Sequence, residues 1–127
     1  MLDTNICIYI INKRPAHVVD RLGRERLADA SISTSVYFEL LFGVELSSRP
    51  ERNREALHHF LTPFEIVDIG SGLAEECARV RRDLSVRGRQ IGALDVLIGV
   101  HALVRGSVLV TNNVKEFRRI AGLPIEN

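Results

Sequence analysis

The chain reads as short apolar runs, each stopped within about a dozen residues by Gly, Pro or a charged stretch. Residues 1–3 (MLD) read as the end of a strand, and residues 4–12 (TNICIYIIN) as a short helix. Pro15 suits the first position of a second helix, continuing over 16–28 with Val18, Val19, Leu22 and Leu27 on one side. Residues 31–35 (SISTS) form a short β-type segment, and 36–46 a strongly apolar helix. Pro50 opens a charged amphipathic helix to about residue 61, Pro63 stops it, and 64–69 (FEIVDI) alternate like a strand. The glycines at 70 and 72 turn into a helix over 73–86, and a second helix covers 94–105 with Gly106 as its cap. Residues 107–111 (SVLVT) are a buried strand, 114–120 a short helix and 123–125 a last strand. Strands alternating with helices predict an α/β fold, with a mainly parallel sheet covered on both faces. Sites in such folds lie at the carboxyl ends of the strands.

Composition adds limits. With 127 residues, 46% hydrophobic and 26% charged, the chain is expected to be one ordered domain spanning 1–127. Net charge is 17 − 16 = +1, so bulk charge names no polyanionic partner. Arg supplies 15 of the 17 cations, a residue suited to phosphate, although a GC-rich genome gives the same bias. Cys7 and Cys77, seventy residues apart without a CxxC, read as buried hydrophobes in a reducing compartment. No apolar run is long enough to span a bilayer and no basic leader precedes the first one, so a soluble cytoplasmic protein without a membrane partner is expected.

Most carboxylates fall on charged stretches, but three do not. Asp3 follows the first strand, Glu39 lies in VYFELLFG and Asp95 in IGALDVLIGV. The helical neighbours of Glu39 are Ser35, Val36, Phe42 and Gly43; those of Asp95 are Ile91, Gly92, Ile98 and Gly99. A carboxylate on such a face must be paired or bound to a metal. Plainer roles exist for each: Asp3 or Thr4 caps the first helix, Glu39 pairs with an Arg, and Asp95 meets a helix dipole. Residues 110–117 (VTNNVKEF) add Asn113 and Glu116 after the late strand; their plainer roles are a helix cap and a solvent-facing acid. No HExxH, Cys–His or Ser–His–Asp pattern is present, and the GxG at 70–72 lacks a third glycine. What remains is a set of hard oxygen ligands, suited to Mg²⁺ or Mn²⁺ and to phosphoryl chemistry. The Arg run at Arg79, Arg81, Arg82, Arg87 and Arg89 ends just before Asp95. Arg79 and Arg82 are assigned to a solvated helix face pairing with Glu75, Glu76 and Asp83, and Arg87 and Arg89 are left as candidate phosphate contacts.

Taken together, MLDTNICIYI, the Glu in an apolar helix, IGALDVLIGVHAL and LVTNNVKEF resemble PIN-domain ribonucleases, and within them the VapC toxins of bacterial toxin–antitoxin pairs. The resemblance covers essentially the whole chain. It implies a three-layer α/β/α domain and a Mg²⁺-dependent endoribonuclease with Asp3, Glu39 and Asp95 as metal-binding acids. The fourth acidic site falls in the segment holding Asn113 and Glu116, either of which can fill it. Asn5 and Thr111 match polar positions that support the site. The TNN segment is similar to that of VapC toxins cutting the anticodon loop of initiator tRNA; relatives cut other tRNAs or ribosomal RNA. The implied partners are a VapB-type antitoxin and a second copy, as a homodimer or toxin–antitoxin hetero-oligomer. The rival reading is a non-catalytic PIN-like module binding RNA or protein. Only Met1 and Leu2 precede Asp3, so the expectation is either an upstream start or a stubby first strand.

Overall fold

A computed structural model describes residues 1–24 and 27–127, with Leu27 by its backbone alone. The elements in chain order are α1 (Thr4–Ile11), α2 (Ala16–Arg24), a 3-10 turn (Leu27–Asp29), β1 (Ser31–Ser33), α3 (Thr34–Glu45), α4 (Pro50–Leu61), β2 (Glu65–Val67), α5 (Ser71–Val86), α6 (Ala93–Val104), β3 (Leu109–Val110), α7 (Val114–Phe117) and β4 (Ile125–Glu126). Pro50 opens α4, as its fixed φ and missing N–H dictate. Gly106 follows α6 at φ +65°, the left-handed conformation that only glycine takes freely after a helix.

The sheet is parallel throughout its described pairs. β1 pairs with β2 (Ile32 opposite Ile66) and β3 with β4 (Leu109 opposite Ile125). The first residues join the two pairs: Leu2 N donates to the Ser31 carbonyl at 2.9 Å, and Asp3 N to the Val110 carbonyl at 3.0 Å. The strand order is therefore β2–β1–(residues 1–3)–β3–β4, and the first strand is a single bridge, Leu2 to Val110. All three residues of β1 are buried, as required when helices cover both faces of a sheet. Ile32, Val36, Ile98, Val100, Leu109 and Phe117 form the centre of the core.

The elements expected from the apolar pattern are present, but the strands are shorter. The 64–69 run pairs only over Glu65–Val67, and the 107–111 run only over Leu109–Val110. Ser33 ends β1 early by becoming the N-cap of α3, its hydroxyl accepting from Ser35 N at 3.2 Å. The continuation of α2 to residue 28 falls partly on residues 25 and 26, outside the described residues, as does the side chain of Leu27. The 114–120 helix stops at Phe117, and the chain turns through Ile120. Both cysteines are free and buried, and burial pushes the Cys7 thiol up to about 12, leaving it unreactive. Among the described residues, no helix is long and apolar enough to cross a membrane.

Candidate active site

Three strand-to-helix junctions open on the same sheet edge: residue 3 into α1, β1 into α3, and β3 into α7. Asp3 is both a cap and a buried acid. Its Oδ1 accepts from Thr4 N at 2.8 Å, and its Oδ2 accepts from Thr111 Oγ1 at 2.6 Å. It is 4% exposed, and desolvation holds its pKa above the ordinary value although both hydrogen bonds pull it down. Thr111, fully buried after β3, also accepts from Asn113 N at 3.0 Å, so one hydroxyl fixes both Asp3 and the entry to α7.

Glu39 lies half-buried in the middle of α3 and accepts a hydrogen bond from Thr4 Oγ1. Among the described residues, no Arg or Lys pairs with Asp3, Glu39, Asp95 or Glu116; the ion pairs lie elsewhere, as between Arg54 and Glu45 or Arg105 and Glu65. Asp95, in the first turn of α6, shows what that means. Its pKa is pushed up to about 6, first by desolvation, then by the charges of Asp3, Glu116 and Glu39, and by a hydrogen bond with Glu116. Asp95 thus feels three carboxylates, from the N-cap of α1, from α3 and from α7, and among the described residues no cation compensates them.

Glu116 reaches this group because α7 packs closely on α6. A Cβ on Gly99 would lie 2.5 Å from Ile120 Cδ1 and 3.1 Å from the Phe117 ring, so a larger residue there would have to displace the end of the Ile120 side chain and crowd the ring. Asn113 stands at the N-cap of α7 without a side-chain capping bond; its amide reaches Glu116 Oε2 at 3.5 Å. Asn113 and Glu116 therefore lie side by side, next to Asp95. Among the described residues, no three acidic, His or Cys side chains are already gathered at one coordination point. The donors are nonetheless all oxygens, and among the described residues none has a basic partner, a set that suits a hard divalent cation.

A family model described as PIN domain matches residues 1–123. The chain belongs to the PIN-domain family. It is 38% identical over 127 residues to the tRNA(fMet)-specific endonuclease VapC of Shigella flexneri, covering 100% of this chain and 96% of that one. It is 42% identical over 130 residues to Ribonuclease VapC2 of Rickettsia felis, with the same coverage. The structure is also similar to that of DNA-bound VapBC from Salmonella typhimurium, with a TM-score of 0.91 and 38% identity over 99% of this chain and 95% of that one. PIN-domain ribonucleases generally depend on a divalent metal.

Within this PIN domain the remaining expected residues are less central. Asn5 is exposed in the first turn of α1, and its neighbour Thr4 supplies the hydroxyl at Glu39 instead. Arg87 and Arg89 are exposed around the end of α5. Arg79 binds Glu76 and reaches Asp83 at 3.5 Å, and Arg82 also reaches Asp83 at 3.5 Å, so these two serve the helix surface. Sequence reasoning gave Thr4 only a capping role, because its contact with Glu39 spans 35 residues and has no local signature.

Proposed function

We propose that this chain is the toxin of a type II toxin–antitoxin pair, a metal-dependent endoribonuclease that cuts the anticodon loop of initiator tRNA in the cytoplasm. The observation that carries the reading is Asp95, pushed up to about 6 by desolvation and by the charges of Asp3, Glu116 and Glu39, with no cation paired to any of the four among the described residues. Asp3, Glu39 and Asp95 would hold Mg²⁺, or Mn²⁺ in its place, with Asn113 or Glu116 closing the site. When bound, such an ion acidifies a water and offsets the charge that grows on the leaving oxygen.

The chain's own groups set the stage for that chemistry. Thr111 and the N–H of Thr4 hold Asp3 in one rotamer, and Thr4 orients Glu39. Arg87 and Arg89 would take backbone phosphates, positioning RNA without reading its sequence. The substrate assignment rests on relatives 38–39% identical that are named tRNA(fMet)-specific. A VapB-type antitoxin would cover the acidic groove, in keeping with the VapBC complexes among the structural neighbours, and an isologous homodimer fits the exposed apolar faces of the helices. One domain spanning 1–127 carries the activity in this reading.

The test is cleavage of total tRNA by the antitoxin-free chain, with 5′-end sequencing of the products. Cuts in the anticodon loop of initiator tRNA, lost with chelator and in Glu39→Gln, are the expected result. Equal cleavage by wild type and Glu39→Gln would overturn the site. Cuts confined to other tRNAs or ribosomal RNA would overturn the substrate.

A further inference from the structure

Three contacts join the stretch from residue 90 through α6 to the stretch from α7 through Ile120. Asp95 faces Glu116, Gly99 receives Ile120 and Phe117, and Arg119 Nη1 donates to the Gln90 carbonyl at 2.8 Å. The first belongs to the acid cluster and the second to the core. The third belongs to neither: a guanidinium three residues beyond Glu116 is bound to a backbone carbonyl, not to a carboxylate.

Gln90 lies in the loop that leads from α5 into α6. Toward α5 the loop is well tied: Arg89 N donates to the Leu84 carbonyl at 2.9 Å, and Gln90 Nε2 donates to Ser85 Oγ at 2.9 Å. Toward α6 it is not. Gly92 is the N-cap of α6 without a side-chain capping bond, and the helix starts only with Val96 N on the Gly92 carbonyl at 3.0 Å. The Arg119 bond to Gln90 therefore anchors the run-in to the helix turn that carries Asp95, and it does so from the segment that carries Glu116.

We propose that Arg119 is a positioning residue: its hold on the Gln90 carbonyl fixes the approach to α6, and with it the apposition of Asp95 and Glu116. The effect on catalysis rests on the nuclease reading above; the effect on the loop does not. Arginine suits the task because one arm of its planar fork can serve the carbonyl while the side chain stays charged and solvated.

The experiment compares the full chain with Arg119→Ala and Arg119→Lys by backbone hydrogen exchange over residues 88–96, alongside kcat and KM on tRNA. Loss of one net hydrogen bond shifts local opening by about fivefold. Arg119→Ala is expected to speed exchange at 90–96 by that factor, leave α4 and β1 unchanged, and lower kcat more than it raises KM. Arg119→Lys, which keeps one donor, is expected to recover most of both. Unchanged exchange in Arg119→Ala overturns the proposal, as does a defect confined to KM, which would mark a direct phosphate contact. A wild type that cleaves no RNA removes the nuclease reading and leaves the exchange comparison to decide the loop anchor.

Discussion

Asp95→Asn is expected to make the metal-free protein more stable while disabling it. The rise of the Asp95 pKa from 3.8 to about 6 means that the folded state disfavours its ionised form. At 1.36 kcal/mol per unit the shift corresponds to about 3 kcal/mol. Asp95 is half-buried, so solvent screening reduces the usable figure to about 1–2 kcal/mol. Because the folded pKa lies above the unfolded one, the penalty is absent below pH ~4 and complete above about 6. Metal-free wild type therefore loses stability from this group as pH climbs through that window, and Asp95→Asn lacks the slope. At pH 7.5 in chelator the variant should melt roughly 4–8 °C higher. Adding divalent metal should raise the wild-type melting temperature and leave the variant nearly unmoved. Cleavage should fall by at least the 10–100-fold that loss of a supporting group near a metal site typically brings. A variant that melts at or below wild type in chelator would refute the claim that burial and the neighbouring acids disfavour the Asp95 charge.

Thr111→Val keeps the shape but removes the donor to Asp3 and the acceptor for Asn113 N; denaturant titration should show a loss of about 1–3 kcal/mol. The same variant should raise the Asp3 pKa further, since the lost hydrogen bond favoured its charged form, and a carboxyl NMR titration reads this directly. Gly99→Ala gains about 1 kcal/mol of helix propensity but forces a methyl against buried Ile120 and Phe117 at roughly 1–3 kcal/mol. Net destabilisation of about 1 kcal/mol with reduced cleavage is expected; a more stable, fully active variant would show that the α6–α7 approach does not need glycine. Arg87→Ala with Arg89→Ala should flatten the salt dependence of RNA binding by about 1.4 in log–log slope, if each contacts one single-stranded phosphate. An unchanged slope removes both from the RNA path.

The helices were legible because their signals are local. Pro50 and Gly106 mark helix ends by φ alone, and the apolar spacing of 94–105 matches α6 to within a residue at either end. Strand lengths were not, since a strand ends where its partner's hydrogen bonds end, and that depends on chain far away. In the site, Asp3, Glu39 and Asp95 stood out as acids on apolar faces. For Asp3 the cap and the buried acid had looked like competing readings, yet its two oxygens serve both at once. Asn113 and Glu116 stood as alternatives for one role, and the structure adds only that the amide of one reaches the carboxylate of the other at 3.5 Å. Thr4 at Glu39 and Arg119 at Gln90 were invisible, being contacts across 35 and 29 residues that leave no periodic trace.

The bridge from Leu2 to Val110 and the bond from Thr111 to Asp3 each close a loop of 108 residues. Closing so long a loop carries a larger entropic cost than any local contact in this fold. Helices α3 to α6 can gather around their own local contacts before that loop closes, but until β3 docks beside the first residues the sheet lacks its middle and Asp3 lacks Thr111. The acid cluster is thus completed by the same event that completes the sheet. A partly folded chain, including one still being synthesised, is without its full set of acids, and the capacity to cut RNA would arrive only with the finished fold.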